Sequence, residues 1–292
     1  MSGPERHQED LELRHARIEE LPAGAGERQR HLGVDYVYRT TADGGDLYLT
    51  RFGLPFREHL QPENWHAPEW FASHRQRLLG TSSICRMPTR PIGGLSLDLV
   101  VRHSRVGEPV PLDTDVLHRH LNAEFNTPFE EFSLVFELRQ GSYGPASLHI
   151  GTKHPLGIYS PPDRLAPWQT GRSADKLAVK HARQPGVPLE PDRAYLLLYG
   201  WIEGQDAEQI ADDFRMQGEE RTGFLQAVND RAVRELALKG FEVADIKPAH
   251  IILRRNREGR LLRRHDHRLA YAIVDYELLA RTPEHAQWLA GR

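Results

Sequence analysis

Val243-Ala-Asp-Ile-Lys-Pro-Ala-His-Ile-Ile-Leu253 and Ala272-Ile-Val-Asp-Tyr-Glu-Leu-Leu279 are the two stretches of this chain that carry the most information. Each places one carboxylate, Asp245 or Asp275, beside a short run of β-branched and leucine residues. Short apolar runs of this kind are typical of buried strands. A carboxylate at the edge of a buried strand needs a partner, a proton or a metal ion. The sequence therefore indicates two short strands, each with an acidic side chain that requires a counterpart.

The order of polar residues in the first stretch resembles the catalytic loop of protein kinases. Asp245, Lys247 and Pro248, followed by a polar side chain at 250, match the pattern Asp-x-Lys-Pro-x-Asn, and an apolar run comes next. About thirty residues later, Ile273-Val-Asp-Tyr-Glu277 is similar to the Asp-Phe-Gly segment, in the Asp-Phe-Glu form of choline-kinase-like phosphotransferases. The chain thus resembles the protein-kinase-like superfamily. The resemblance implies an α+β protein with an antiparallel-sheet N-lobe and a truncated helical C-lobe.

Segments upstream of Asp245 also resemble kinase segments, in the order in which a kinase has them. Residues 78–87 and 97–103 resemble the glycine-rich loop and the third strand of a kinase, where backbone N–H groups and a cation contact phosphates. Arg102 stands where the family has lysine. Glu131, in a helix predicted to begin at Thr127-Pro128, corresponds to the glutamate that pairs with this cation; Glu137 is the fallback. Taken alone, a turn glycine, a surface arginine and an exposed helix glutamate would explain these residues. The loop candidates are Gly80, Thr81, Ser82 and Ser83.

The segment from Ala194 to Gly204 reads as a buried strand that leads into an acidic helix beginning near Asp206. It resembles the fifth strand and hinge of a kinase, where the adenine edge meets backbone groups. An amphipathic helix over 224–239, ending at Gly240, then precedes the catalytic loop. The hinge candidates are Gly200, Trp201 and Ile202.

The resemblance implies ATP as cofactor, with Mg²⁺ or Mn²⁺. Asp245 would accept or orient the proton of an acceptor hydroxyl, Lys247 would stabilise the transferring phosphoryl group, and Asp275 would bind the metal. His250 stands where the family has asparagine, and imidazole suits Mn²⁺ better than Mg²⁺. Glu277 would add a ligand if the strand continues past Asp275, because alternation places both side chains on one side.

The predicted domain boundaries follow this assignment. They give a flexible N-terminal arm over 1–32, an N-lobe over 33–203 with an insertion at about 141–190, and a minimal C-lobe over 204–292. Few residues follow Asp275, so we expect no peptide-docking helices, and the acceptor would be a small molecule or a group presented by a protein partner.

The composition of the chain limits the classes of partner that we expect. The formal charge of −3 favours neither nucleic acid nor an acidic membrane, and no apolar run approaches the length of a membrane span. One cysteine, Cys85, fits a reducing compartment, so we expect a cytoplasmic protein. The basic segment (254–268) could contact a polyanion, but a solvated hairpin explains it more simply. His265 and His267 lack a third zinc ligand nearby.

Two functions are compatible with the sequence. A third alternative is a plain α+β protein whose motifs are coincidental. The first is a phosphotransferase that moves the ATP γ-phosphate to a hydroxyl, and Asp245, Lys247 and Asp275 favour it. The second is a pseudokinase, a nucleotide- or partner-binding module without efficient catalysis. Val243, His250 and Arg102 favour the second, because the family has other residues at these positions.

Overall fold

The computed structural model describes residues 26–78, 83–110 and 123–292. Fourteen strands occur in these ranges: β1 (Glu27–His31), β2 (Val34–Thr40), β3 (Asp46–Leu49), β4 (Gln76–Arg77), β5 (Ile84–Pro88), β6 (Asp98–His103), β7 (Gly151–Thr152), β8 (Pro155–Ser160), β9 (Leu196–Gly200), β10 (Gln205–Asp206), β11 (Phe241–Val243), β12 (Ile251–Leu253), β13 (Tyr271–Ile273) and β14 (Leu279–Arg281).

Seven α-helices occur in the same part of the chain: α1 (Pro68–His74), α2 (Pro128–Gln140), α3 (Pro167–Thr170), α4 (Ala174–Arg183), α5 (Ala207–Asp213), α6 (Gly218–Leu238) and α7 (Pro283–Ala290). None of these helices combines the length and the apolar composition that a membrane crossing requires. The protein is thus a mixed α+β structure, as the sequence predicted.

The chain divides into two compact units. The first contains the described residues of 26–107, 127–129 and 154–201, and the second contains those of 108–126, 130–153 and 202–292. The predicted boundary at 203 placed all of 108–153 in the first unit. The difference arises because Thr152 of β7 pairs with Ile273 of β13, and the ammonium of Lys239 donates to the carbonyls of Gly141 and Pro145. These contacts attach the 141–152 stretch to the second unit.

The first unit is built on one eight-stranded antiparallel sheet in the order β1-β2-β3-β8-β9-β6-β5-β4. Every residue of β8 is buried, and the leucines of β9 are buried on both faces. The central strands therefore form the core. Strands β2 and β3 form a hairpin joined by a turn in which Gly44 has a φ of 85°, a conformation that glycine adopts without strain.

The second unit contains a four-stranded sheet in the order β10-β12-β13-β7 and a separate antiparallel pair, β11 with β14. The acidic helix α5 begins as predicted, with the Asp206 carboxylate accepting from the backbone N–H of Gln209 at 2.8 Å. Helix α6 starts six residues before the predicted Phe224 and ends at Leu238, and Gly240 follows with a φ of 75°. This glycine turns the chain directly into β11, the strand that leads to Asp245.

Candidate active site

Two antiparallel strand pairs bring the two acidic stretches of the sequence side by side. Val243 at the end of β11 pairs with Leu279 at the start of β14, and Ile251 at the start of β12 pairs with Ile273 at the end of β13. The loops 244–250 and 274–278 therefore each join one strand of the first pair to one strand of the second. Hydrogen bonds from Ala244 N to Leu278 O (3.4 Å) and from Val274 N to His250 O (3.1 Å) hold the loops together at both ends.

The two loops place three potential metal ligands close to one another. One ligand atom each from Asp245, His250 and Asp275 lies within 4.8 Å of the other two, and all three residues are partly buried. The Nε2 atom of His250 lies 3.5 Å from Oδ2 of Asp275. Residues separated by 30 positions in the sequence thus converge on one small volume, as the motif resemblance predicted for the two aspartates.

A 3-10 turn, Pro248–His250, positions the histidine. Proline at the first position of the turn has no N–H to leave unpaired and has a fixed φ. The backbone N–H of His250 donates to the carbonyl of Lys247 at 2.8 Å, and the chain then enters β12 with Ile251 fully buried. The Lys247 side chain stays half-exposed, and its Nζ lies 3.6 Å from Oδ2 of Asp245.

The donor set fits a divalent cation. The Nδ1 atom of His250 is buried and makes no hydrogen bond, which leaves a nitrogen lone pair or N–H without a partner inside the protein. Two carboxylates within 4.8 Å repel each other unless a positive charge lies between them. Two carboxylate oxygens with one imidazole nitrogen suit Mn²⁺ and, less well, Mg²⁺.

Tyr276, next to Asp275, holds the second loop in place through hydrogen bonds of its hydroxyl group. Its ring is 1% exposed, its hydroxyl donates to the carbonyl of Ile273, and it accepts the backbone N–H of Lys153 at 2.8 Å. Burial raises the pKa of the Tyr276 hydroxyl above its usual value, so the group remains a donor. The Nζ of Lys153 lies 5.6 Å from the centre of the Tyr276 ring.

Sequence reasoning missed Lys153, although the composition contains a signal. Only five of the 38 basic residues are lysines, at 153, 176, 180, 239 and 247. Lys153, Lys180 and Lys239 are all at least 94% buried, whereas Lys247 is at the site. A chain that uses arginine almost everywhere therefore has lysine mainly where a slender ammonium must fit among packed residues.

The condition set for Glu277 as a metal ligand is not met. Strand β13 ends at Ile273, two residues before Asp275, so positions 275 and 277 do not belong to one strand. The backbone N–H of Glu277 instead donates to Oδ1 of Asp275 at 3.3 Å, which is a turn rather than an extended segment. Glu277 is 6% exposed, and among the described residues it is not a member of the ligand group.

The predicted phosphate-binding residues belong largely to the other unit. Arg102, the penultimate residue of β6, is 4% exposed and lies in register with Ile84 and Leu197, so it is not the surface residue of the simpler interpretation. Glu131 is also buried, at 2% exposed, but belongs to the second unit, and its pairing with Arg102 stays a prediction. Ser83 is exposed beside β5. The other loop candidates, Gly80, Thr81 and Ser82, lie outside the described residues.

Glu137, the fallback for Glu131, has a structural role in the second unit. Both of its oxygens accept from the guanidinium of Arg281 on β14, and Oε1 lies 3.1 Å from Nε2 of the buried His285. The network connects helix α2 with β14 and helix α7. Glu137 is therefore committed to holding β14, the strand that follows the Asp275 loop.

The hinge candidates are the last residue of β9 and the two residues after it, and two of their amides are engaged. The N–H of Gly200 donates to the carbonyl of His154 at 3.0 Å, and that of Trp201 donates to the carbonyl of Asp98 at 2.9 Å. These amides cannot also bind an adenine edge unless those bonds open. Ile202, the third hinge candidate, is the first residue of this stretch in the second unit.

The basic segment (254–268) is folded and anchored. It forms two short hairpins, with Arg255 bridged to Leu261 and Arg263 bridged to Leu269. Arg255 donates to the Asp213 carboxylate at 2.8 Å, and the buried Glu235 carboxylate accepts from Arg231 at 2.7 Å and lies 3.5 Å from Arg264.

Within the described residues, His265 and His267 belong to no group of three potential metal ligands. The simpler interpretation of the basic segment as a hairpin between two strands therefore needs one addition: the segment is held by the carboxylates of Asp213 and of the buried Glu235.

Comparison with known proteins does not assign a function, so the assignment of function rests on the geometry of this site. No protein-family model matches the chain, and no curated protein matches it. Among solved structures, 106 chains match. One is a structure of WaaP in complex with acyl carrier protein, with a TM-score of 0.35 and 11% sequence identity over 73% of this chain. The chain covers 65% of the length of that structure. A match at this level carries no conclusion about activity or substrate.

Proposed function

We propose that the chain is a kinase-like phosphotransferase that uses ATP with Mn²⁺ or Mg²⁺ and transfers the γ-phosphate to a hydroxyl group. The observation that carries the proposal is the convergence of Asp245, His250 and Asp275 within 4.8 Å, with Lys247 beside them. Two of these residues come from one loop and the third comes from the other. Phosphoryl transfer depends mainly on positioning and charge neutralisation, which a compact set of carboxylates with one ammonium group can provide.

Each residue then has a distinct task. Asp275 and His250 hold the cation, which when bound neutralises charge on the phosphate oxygens. The Asp245 side chain is 26% exposed, so it can accept a proton from an acceptor hydroxyl. The ammonium of Lys247, 45% exposed and 3.6 Å from Asp245, is free to turn toward a phosphoryl oxygen as the negative charge develops there.

A binding module without efficient catalysis is the second candidate. It is favoured by the engaged amides of Gly200 and Trp201, which limit hinge contacts to a nucleotide base, and by imidazole in place of an amide at position 250. Such a module would still bind the cation. The two candidates therefore differ in whether the γ-phosphate is transferred. Both predict metal-dependent nucleotide binding, which a plain α+β protein does not.

The test combines nucleotide binding with transfer. Thermal unfolding is measured with ATP and either metal for the wild type and for Asp275→Ala, and ³²P transfer from γ-labelled ATP is then measured for the wild type and Asp245→Asn. Stabilisation that disappears in Asp275→Ala supports the cation site, and label transfer that disappears in Asp245→Asn supports the enzyme. Stabilisation without transfer favours the binding module, and no stabilisation with either metal refutes both.

A further inference from the structure

Phe125 and Asn126 lie outside both motif loops, yet they contact both of them. The two residues precede helix α2 and are separated by about 120 positions from the first loop and by about 150 from the second. Phe125 is 2% exposed and Asn126 is 8% exposed. Neither residue type at this position suggests chemistry, and neither belongs to the ligand group around Asp245.

Asn126 makes three hydrogen bonds to the Asp275 loop and to the first residue of β14. Its backbone N–H donates to the carbonyl of Glu277 at 3.0 Å. Its side-chain Nδ2 donates to the carbonyl of Tyr276 at 3.2 Å and to that of Leu279 at 2.9 Å. An amide NH₂ group has two N–H donors, so one side chain pairs both carbonyls. Buried carbonyls without partners are costly, and the donors of Asn126 supply hydrogen bonds to three of them.

Phe125 connects the same segment to the other loop. Its ring packs in one apolar cluster with Ala244 and Leu278, which are 5% and 7% exposed. Ala244 directly precedes Asp245, and Leu278 lies three residues after Asp275. Val110 and Ala123 pack against the cluster from the same part of the chain. The pair of residues therefore holds one loop by hydrogen bonds and both loops by packing.

We propose that Asn126, supported by Phe125, is a positioning residue that fixes the separation of Asp245 and Asp275 and thereby sets the affinity of the site for a divalent cation. The inference rests on the proposed function, because it assigns Asn126 to the same cation site. The physical reason is that a Mn²⁺ or Mg²⁺ ion needs ligand oxygens at closely defined positions, whereas two carboxylates without support move apart by repulsion. Residues behind the ligands commonly change metal affinity ten- to a hundredfold.

The test is Mn²⁺ binding by Asn126→Leu, which keeps the approximate size of the side chain and removes both donors. The dissociation constant is obtained from the electron paramagnetic resonance signal of free Mn²⁺, without nucleotide, and folding is monitored by circular dichroism. Asn64→Leu is the matched control, because Asn64 also donates through Nδ2 to a backbone carbonyl, that of Glu58 at 2.7 Å, but belongs to the first unit.

We expect Asn126→Leu to bind Mn²⁺ at least tenfold more weakly than the wild type, a difference of about 1.4 kcal/mol, and Asn64→Leu to match the wild type. A merely structural role for Asn126 would lower the unfolding temperature without this change in affinity. A folded Asn126→Leu protein whose affinity falls by less than tenfold overturns the inference and leaves the proposed function intact.

If Asn126→Leu does not fold, Phe125→Leu is measured instead. We expect severalfold weaker Mn²⁺ binding from this variant, and an unchanged affinity would overturn the inference. If the wild type and Asp275→Asn bind Mn²⁺ equally, or neither binds, the cation site itself is refuted, and this result is distinct from a failure confined to Asn126.

Discussion

Replacing Asp275 with asparagine should separate stability from metal binding. Asparagine keeps the shape of the side chain and can still accept the backbone N–H of Glu277 through Oδ1, as the carboxylate does at 3.3 Å. What disappears is one negative charge, which lies next to Asp245 and 3.5 Å from Nε2 of His250. A residue that serves only to stabilise the fold would lower the free energy of unfolding when it is replaced. A metal ligand held against a like charge should not.

The expected change in stability follows from the distance between the two carboxylates. The two carboxylate oxygens lie within 4.8 Å of each other, which corresponds to a repulsion of about 3 kcal/mol at an effective dielectric constant of about 20. Their side chains are 26% and 25% exposed, and Lys247 lies 3.6 Å from Asp245, so solvent and the ammonium group reduce the net term to about 1 kcal/mol. In a chain of 292 residues, this free energy is equivalent to a shift of about 2 °C in Tm.

The assay is thermal unfolding at about pH 8, above the ordinary titration range of histidine, with EDTA or with Mn²⁺. In EDTA we expect the Tm of Asp275→Asn to equal that of the wild type or to exceed it by about 2 °C. Mn²⁺ at about 100 times its Kd should stabilise the wild type by about 2.7 kcal/mol and leave the variant unchanged. A variant that is destabilised in EDTA and stabilised by Mn²⁺ like the wild type would refute the reasoning.

Three further outcomes are expected in the same protein. Burial lowers the pKa of His66 and of His103 below the usual 6.5, so the unfolded chain binds protons first as the pH falls. The urea concentration at the midpoint of unfolding should therefore be lower at about pH 5 than at about pH 7.5. This difference should be smaller in His103→Asn. Glu137→Gln should lower the free energy of unfolding by about 2 kcal/mol, because the Arg281 guanidinium loses its carboxylate partner; an unchanged urea midpoint would contradict this. Gly240→Ala should destabilise by at least about 1 kcal/mol, since a Cβ at φ 75° would lie 2.7 Å from a buried imidazole ring, and differential scanning calorimetry would show it as a lower Tm.

Local features of the fold could be predicted because their causes are local. The cap at Asp206 and the helix end before Gly240 depend on the conformational preferences of one or two residues. The approach of Asp245 to Asp275 could be predicted because a known motif order implies it. Glu277 would be a ligand only if the strand continued past Asp275, and β13 ends at Ile273.

The supporting residues could not be predicted, because their partners lie far away in the sequence. Asn126 bonds to carbonyls about 150 positions later, and the parallel pairing of β7 with β13 joins Thr152 to Ile273. Neither contact leaves a periodic pattern. A buried asparagine and two short strands look like ordinary loop residues until the topology is known. The assignment of 130–153 to the second unit depends on the same kind of contact, as with the ammonium of Lys239.

The most direct measurement of the central claim is pulsed electron paramagnetic resonance of Mn²⁺ bound to the protein with ATP. If Asp245, His250 and Asp275 hold a cation beneath the phosphates, the spectra should show ¹⁴N coupling from one imidazole and ³¹P coupling from the nucleotide. The ¹⁴N coupling should disappear in His250→Gln, and Mn²⁺ binding should be lost in Asp275→Asn. Bound Mn²⁺ with ³¹P coupling but no ¹⁴N coupling, or with spectra unchanged in both variants, would contradict the account.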